Sequence, residues 1–313
     1  MPSGPKARQA SVVALLKSIQ KRVRSSKDER NSCLEVGSCD FRSGIAGGAQ
    51  LLISALISIN VRADQDAWYD VRNASGNGIG EKETFMFSVI FEVLPNEGRK
   101  DEYLELAGNL KPILETIDGF VDVERYESKR RPGWVLSQST WRDEKSMVRW
   151  RTQRDHYFVQ SKGRFEIFAD YHLRIGEITA DTDPPRGLAV VEQRFDATEV
   201  GVAKLVTFTE ATPAKNNTFA RPDRLPAHLG LDLSSVAVAE HDVFESIYNP
   251  GKLALLISWK DTEAGQAWSP ASIPGFDKLR HRRMRIVRDY GRFDRREAPQ
   301  YYADIKQSSR TAR

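Results

Sequence analysis

Apolar and polar residues follow the same succession of patterns twice along the chain, over residues 86–178 and 203–295. In the first stretch, apolar residues that alternate with polar ones predict strands. These strands cover residues 86–94, 120–127, 134–141 and 168–178. Apolar residues three or four positions apart predict one helix after the first strand and another after the third. The predicted element order is therefore βαββαβ.

The second of these helices has the clearest start signal. Asp143 can cap it, because its carboxylate can accept the first free backbone N–H groups. The apolar spacing predicts a helix that runs to about Gln160, with Met147, Trp150 and Tyr157 facing inward.

The second stretch gives the same order with weaker helices. Its predicted strands cover residues 204–212, 235–248, 252–259 and 284–293. Pro222 and Pro226 predict a broken or shortened first helix, and Pro270 and Pro274 interrupt the second. The order βαββαβ is that of the ferredoxin-like unit, so the pattern predicts two such units in tandem.

Individual residues support this repeat at a constant offset of 118 positions. The matching pairs are Glu92 with Glu210, Pro132-Gly133 with Pro250-Gly251, Trp141 with Trp259, and Trp150 with Trp268. Beyond Trp150 the offset is predicted to slip by one, so that Asp170-Tyr171 matches Asp289-Tyr290. Chance matching of two tryptophans and a Pro-Gly turn in one register is improbable, so the repeat is treated as an architectural feature.

The two units can complete each other's cores. In each unit the helices cover one face of an antiparallel sheet and leave the other face apolar. Two such sheets packed face to face would bury both open faces within one chain. The predicted fold class is thus α+β, with two tandem ferredoxin-like units packed as an intrachain dimeric α/β barrel.

The remaining segments are predicted to be less regular. Residues 1–85 form an extension expected to be poorly ordered, with a targeting or anchoring role as the alternative and a translation start at Met86 as a further hypothesis. Residues 179–202 begin with a polar, Pro-rich run typical of a linker. Residues 296–313 are charged and expected to fray.

Charge and cysteine content narrow the function classes. The net charge is +4, but residues 1–85 hold 12 Lys and Arg against 9 Asp and Glu, so residues 86–313 are close to neutral. That balance argues against a nucleic-acid partner. The apolar run 44–59 is short for a membrane span. Cys33 and Cys39 both precede residue 86, so the predicted domains contain no cysteine and cannot hold a disulfide framework or a cysteine nucleophile. The low cysteine content is typical of a reducing compartment, so a cytoplasmic location is expected.

A family resemblance emerges from the first unit. The run from Ser139 through Trp141, Asp143 and Trp150, followed by His156, Gly163-Arg164 and Tyr171-x-Leu173-Arg174, resembles the antibiotic biosynthesis monooxygenase family of dimeric α/β-barrel proteins. The resemblance covers residues 86–178 well and 203–293 more weakly. Some members of this family oxidise polycyclic aromatic compounds with O₂ and no metal or flavin, and others degrade haem.

The residues that the haem-degrading members use are replaced here at two of three positions. The strand asparagine of those members corresponds to Glu92, and their histidine position falls near Gln160. The resemblance therefore implies oxidation of a small, aromatic substrate without a cofactor.

Two carboxylates inside apolar strands are candidate bases. Glu92 and Glu210 would have raised pKa values if buried alone, and either could then remove a proton from a substrate. The alternative is an ion pair with Arg151, Arg154 or a strand arginine. The assignment on this pattern is Glu92 as a catalytic residue and Glu210 as a substrate contact.

Ring side chains complete the candidate site. Trp150 and Trp268 could stack on a flat substrate, although a large aromatic residue at helical spacing is more often part of the core. His156 is a candidate for proton transfer, and Tyr157 and Tyr171 are candidate substrate contacts. No two histidines have metal-ligand spacing on one face, so no metal is predicted.

These residues support two hypotheses. The first is a cofactor-independent monooxygenase that acts on a small substrate with O₂. The second is a non-catalytic module that binds a small ligand or mediates assembly, including a homodimer of the fused pair. A cavity in the first unit that holds Trp150 together with a carboxylate or histidine would favour the enzyme.

Overall fold

The computed structural model describes residues 85–186, 190–214, 219 and 221–305. The predicted extension, apart from Phe85, lies outside the described residues, as do the last eight residues of the predicted tail. The architecture below is that of the described part of the chain.

The first half contains four strands and three helices. The strands are β1 (Phe87–Pro95), β2 (Phe120–Ser128), β3 (Val135–Trp141) and β4 (Phe168–Asp181). Helix α1 (Lys100–Leu114) connects β1 to β2, and α2 (Glu144–Thr152) and α3 (Arg154–Lys162) connect β3 to β4. A π-helical turn, Gly163–Ile167, follows α3 directly.

The second half contains four strands and only short helical pieces within the described residues. Strands β5 (Leu205–Pro213), β6 (Val238–Ser246), β7 (Leu253–Trp259) and β8 (Phe276–Gly291) follow the same order. A 3-10 turn (Pro222–Arg224) and α4 (Leu225–His228) replace the first long helix, and α5 (Thr262–Ala267) replaces the second. Pro222 and Pro226 lie in the first turns of the two short pieces, and α5 ends at Ala267, ahead of Pro270, so both helices are shortened as the sequence predicts.

All eight strands form one closed antiparallel barrel in the order β1-β3-β2-β6-β7-β5-β8-β4. The two halves join at two seams. At one seam β2 pairs with β6, with Glu127 opposite Glu245, and at the other β4 pairs with β8 from His172–Gly291 to Asp181–Arg282. The predicted α+β fold with a barrel built from both halves is confirmed.

The core divides into a barrel interior and two outer layers. Apolar residues of both halves fill the interior, among them Ile90, Tyr126, Phe208 and Phe244. Outside the first half, α1 and α2 pack on the sheet through clusters around Trp141 and Phe168. Outside the second half, the short helices cover a separate cluster around Trp259. Each sheet is therefore buried on both faces, as a barrel with an outer helical layer requires.

The predicted match of Asp170-Tyr171 with Asp289-Tyr290 is wrong. Strand β1 pairs Pro95 with Phe168, and β5 pairs Pro213 with Phe276, so the equivalent positions of β4 and β8 differ by 108. The connection 260–275 is shorter by ten residues than its counterpart 142–167, which accounts for the change of offset. Tyr290 is instead opposite Leu173 of β4, across the seam.

The single long helix predicted after Asp143 is also wrong in its second part. Asp143 does cap α2, since its carboxylate accepts from the Ser146 N–H at 2.7 Å. The backbone of Gln153 is extended, with φ −62° and ψ 134°, and separates α2 from α3. Tyr157, predicted to face inward, is 42% exposed. No helix within the described residues is long and apolar enough to cross a membrane.

Candidate functional site

A cavity of about 200 Å³ lies between the sheet of the first half and the helices α1 to α3. Its walls are mostly apolar, with Phe91, Leu110 and Leu173 among the lining residues. Trp150, His156 and Tyr171 all line it. The structure therefore brings together three of the residues that the sequence singles out, in the half that carries the family resemblance.

Gln153 positions the histidine. Because its backbone breaks the helix, its side chain becomes the N-cap of α3 and accepts from the His156 N–H at 2.7 Å. The imidazole then folds back onto α2, where Nδ1 lies 2.9 Å from the carbonyl oxygen of Trp150. The imidazole and the indole of Trp150 stack, with centroids 4.0 Å apart and 13° between their planes.

Two groups contact Nδ1 of His156: the Trp150 carbonyl oxygen at 2.9 Å, which only accepts, and the Gln160 side-chain nitrogen at 3.1 Å, which only donates. The shorter contact, to the carbonyl, favours a neutral ring with the proton on Nδ1. Nε2 then carries the lone pair and has no hydrogen-bond partner among the described residues. Burial lowers the pKa of His156 to about 4, although the bond to the Trp150 carbonyl opposes this shift. The neutral ring thus presents a free acceptor nitrogen at neutral pH.

The other end of the cavity is closed by β8 and the segment after it. Tyr290, Arg295, Gln300 and Tyr302 line the cavity there. The hydroxyl of Tyr171 accepts from Nη1 of Arg295 at 2.8 Å and from a buried arginine, Arg164, at 3.0 Å. The segment as far as Ala303 thus contacts the site, although the composition of the segment from 296 onward suggests fraying.

Glu92 lies inside the barrel and does not line the cavity. Its carboxylate is paired with Arg174 and Arg131, and the side chain is 4% exposed. Burial alone would raise its pKa, but the two guanidinium groups hold the pKa below its usual value. The structure therefore has the strand-arginine ion pair that was the alternative to a free base.

Glu210 occupies the corresponding place in the second half. Lys252 lies 2.6 Å from its Oε1, and the hydroxyl of Tyr126 donates to the same oxygen at 2.6 Å. Arg282 pairs with its other oxygen. Burial would raise the pKa of Glu210, but Arg282 and Lys252 lower the pKa to about 2. Glu210 lines a separate polar cavity of about 150 Å³, not the one beside Trp150.

Two further candidates also lie outside the cavity. Tyr157 stacks on Tyr302 at the surface, with centroids 6.1 Å apart. Trp268 packs in the second half against Trp259 and His281, which is the core role that a tryptophan at helical spacing usually has. Among the described residues, no group of three or more His, Cys, Asp or Glu could hold a metal ion.

Sequence reasoning missed the cationic part of the site. Arg151 and Arg295 line the cavity, but in the sequence they look like ordinary charged residues on a helix and in a polar tail. Tyr290 lies in β8 of the second half and reaches the cavity of the first half across the β4–β8 seam, which the sequence pattern does not indicate. The adjacency of Arg151 to Trp150 is the one signal in the sequence that could have indicated a cavity position.

Comparison with known proteins identifies the relatives of this chain. The family model of the antibiotic biosynthesis monooxygenases matches residues 86–157. A jasmonate monooxygenase of Pyricularia oryzae is 42% identical over 222 residues, which are 69% of this chain and 98% of that protein. The match to the family model lies within the first half, so the family likeness of the second half stays a prediction.

Solved structures are more distant. An aldoxime dehydratase in complex with butyraldoxime has a TM-score of 0.43 and 11% identity, over 68% of this chain and 82% of that chain. An anthrone oxidase-like protein has a TM-score of 0.28 and 11% identity, over 71% of this chain and 99% of that chain. At these TM-scores the likeness supports no inference about activity.

Proposed function

Because the chain belongs to the antibiotic biosynthesis monooxygenase family, we propose that it oxidises a small, largely apolar substrate with O₂ in the cavity beside Trp150 and His156. The observation that carries this proposal is the unpartnered Nε2 of a neutral histidine at the wall of an apolar cavity. An oxygenation that uses no cofactor needs such a base, because a substrate carbanion can reduce O₂ directly.

The proposed reaction balances without an external reductant. His156 takes a proton from a substrate CH₂ group activated by a neighbouring carbonyl or phenol. The carbanion transfers an electron to O₂, and the two radicals combine to a peroxide that regains the proton from His156. Loss of the second C–H proton breaks the O–O bond, so that CH₂ and O₂ give C=O and water.

The low pKa of His156 requires an anionic reaction partner. With a pKa of about 4, the imidazole is a weak base in the free protein. A carbanion that forms beside it would stabilise the imidazolium by ion pairing, and the face of Trp150 would add a cation–π contact. The apolar walls strengthen this pairing because they exclude water.

The volume of the cavity and the 42% identical relative suggest which substrates to test. An apolar cavity of about 150 Å³ can hold benzene, so about 200 Å³ suits a single ring with a short side chain or a flat aromatic compound. The named substrate of the 42% identical relative is jasmonate, which makes it the first compound to test. Aromatic phenols such as anthrones are the second class, as the sequence resemblance implies.

The test is O₂ uptake by the full chain in metal-chelated buffer, with jasmonate and anthrone as substrates, with and without added NADPH and flavin. Uptake without additions, with a product that gains one oxygen and loses two hydrogens, is expected. Uptake that requires NADPH or flavin would leave a monooxygenase but contradict cofactor independence. A cytoplasmic location and association of two chains stay predictions.

The second candidate is a module that binds a small ligand without chemistry. It is favoured because Glu92 and Glu210 are held in ion pairs away from the cavity beside Trp150. That cavity therefore has no carboxylate that could act as a base. Tight ligand binding with no O₂ uptake under any condition would support it over the enzyme.

A further inference from the structure

The charges around the cavity beside Trp150 are all of one sign. Four arginines line it, namely Arg125, Arg151, Arg164 and Arg295, and no Asp or Glu does. None of the four forms a salt bridge with any described residue. Cations that face a mostly apolar cavity without a counter-ion are costly, because burial penalises the charged form.

Three of the four arginines use their donors on the protein. Arg164 donates to the carbonyl oxygen of Arg292 at 2.6 Å, and Arg295 donates to that of Gln300 at 2.7 Å. Both also donate to the hydroxyl of Tyr171. Arg125 lies beside two phenol groups, those of Tyr103 and Tyr248, which act on its pKa. These three guanidinium groups therefore have structural acceptors.

Arg151 differs from the other three. No described residue accepts a hydrogen bond from its guanidinium, and its Nε is enclosed without a partner, as are those of Arg125 and Arg164. Burial lowers the pKa of Arg151, and the neighbouring Arg288 lowers that pKa further. Glu144 acts on Arg151 in the opposite direction, but its carboxylate is paired with Arg194 at 2.8 Å.

Tyr290 adds a neutral donor at the same place. Its side chain is 7% exposed and lines the cavity, and its hydroxyl has no hydrogen-bond partner among the described residues. Burial raises the pKa of Tyr290 to about 12, against the influence of Arg151 and Arg295, so the hydroxyl keeps its proton. A guanidinium and a phenol hydroxyl near one another suit the two oxygens of a carboxylate.

We propose that the cavity takes its substrate as an anion, with a carboxylate bound by Arg151 and Tyr290 and an apolar body against the walls. This inference rests on the proposed function for the identity of the ligand as a substrate, and it names the class: a small apolar acid. A carboxylate fits this pair better than a phosphate ester. One unpaired guanidinium neutralises a single negative charge, and the guanidinium and the hydroxyl together provide donors for two oxygens.

The experiment compares an acid with its methyl ester, which has the same carbon skeleton without the charge. Binding of jasmonate and methyl jasmonate, and of 1-naphthoate and its methyl ester, is measured by calorimetry with the full chain. The acid of at least one pair is expected to bind tenfold or more tightly than its ester, which corresponds to about 1.4 kcal/mol. In Arg151→Gln this preference should fall to about twofold or less, while the ester binds as before.

Arg296→Gln is the matched control, because Arg296 lies next to Arg295 but is exposed and paired with Asp294. It should keep the preference for the acid. Equal binding of acid and ester by the unmodified chain, or an unchanged preference in Arg151→Gln, would overturn the inference. Loss of the preference in Arg125→Gln but not in Arg151→Gln would also overturn the inference. Failure of all four compounds to bind would overturn it as well.

These outcomes separate the inference from the proposed function. Turnover of acid and ester at equal rates with O₂ would refute the anion site and leave the monooxygenase. Selective binding of the acid through Arg151 without any O₂ uptake would establish the anion site and refute the oxidation.

Discussion

The imidazole of His156 lies flat on the indole of Trp150, with 4.0 Å between the ring centroids. The two residues also share a hydrogen bond, since Nδ1 of His156 donates to the carbonyl oxygen of Trp150. Ring stacking fixes the plane of the imidazole, and the hydrogen bond fixes its rotation within that plane. Together they direct Nε2 away from the backbone of α2, and Gln153 holds the start of α3 in place for this arrangement.

Replacement of His156 should separate binding from oxidation. His156→Gln removes the proposed base, and general bases contribute about 10²- to 10⁴-fold to rates, so O₂ uptake should fall at least about 100-fold. Ligand affinity should change little, because the carboxylate is bound elsewhere. Calorimetry and an oxygen electrode on the same preparation check both. Unchanged uptake in this variant would remove His156 from the mechanism.

Stability should depend on pH through the buried histidines. Burial lowers the pKa of His281 to about 4, from an ordinary value of 6.5, so the unfolded chain binds this proton more readily. The stability that this neutral ring contributes is present above pH 6.5 and is lost as the pH falls to 4. The loss should reach about 3 kcal/mol for His281, which is 3% exposed.

Urea unfolding at several pH values measures this loss. His281→Gln should reduce the slope between pH 6.5 and 4 and leave the part that comes from His156, whose pKa is also about 4, whereas His228→Gln, at an exposed position, should not reduce it. Below that range, protonation of Glu210, whose pKa is about 2, should continue the loss of stability in both variants. An equal slope in His281→Gln and the unmodified chain would contradict the neutral buried histidine.

Glu92 should matter for stability more than for chemistry. Glu92→Gln would remove the buried carboxylate partner of Arg174, which is 1% exposed, and leave only the exposed Glu240 at 3.7 Å. Removal of one partner of a buried pair costs about 3–5 kcal/mol, so the free energy of unfolding should fall by about that amount. Glu97→Gln, at an exposed position, serves as the control and should have no measurable effect.

Oxygen uptake distinguishes the two roles of Glu92. Since the carboxylate lies outside the cavity, the folded fraction of Glu92→Gln should keep its turnover number. A loss of turnover far beyond the loss of folded protein would restore Glu92 as a catalytic residue.

The sequence predicts the barrel well because its signals are local or repeated. The cap at Asp143 and the broken helices of the second half each follow from residue type and spacing. The constant offset between the halves fails after Trp150, because the connection before β8 is ten residues shorter than the connection before β4. The chance match of the dipeptide Asp-Tyr at residues 170–171 and 289–290 concealed this difference. That dipeptide also matched Tyr290 with Tyr171, whereas Tyr290 lies opposite Leu173 across the seam and lines the cavity of the first half.

The site was predicted in part for a similar reason. Trp150, His156 and Tyr171 carry the family pattern and do meet at one cavity. Arg151 and Arg295 reach it through a helix break and through the segment after β8, and no periodicity indicates either. Glu92 looked like a base because a strand pattern does not show that Arg131, 39 positions away, reaches its carboxylate.

A pair of glycine substitutions tests the packing around the cavity. Gly163 lies in the π-helical turn, and a Cβ there would come within 2.5 Å of the Phe168 ring, which lines the cavity. Gly163→Ala should therefore lower the free energy of unfolding by about 1–3 kcal/mol, as overpacking of a core usually does. Gly108, exposed in α1, has open space at its Cβ position, so Gly108→Ala should raise stability by about 0.5–1 kcal/mol. Thermal unfolding of both variants measures the contrast. If Gly163→Ala were as stable as Gly108→Ala, the Phe168 ring would have to be free to move, and the cavity would not have the fixed shape that positions a substrate against His156.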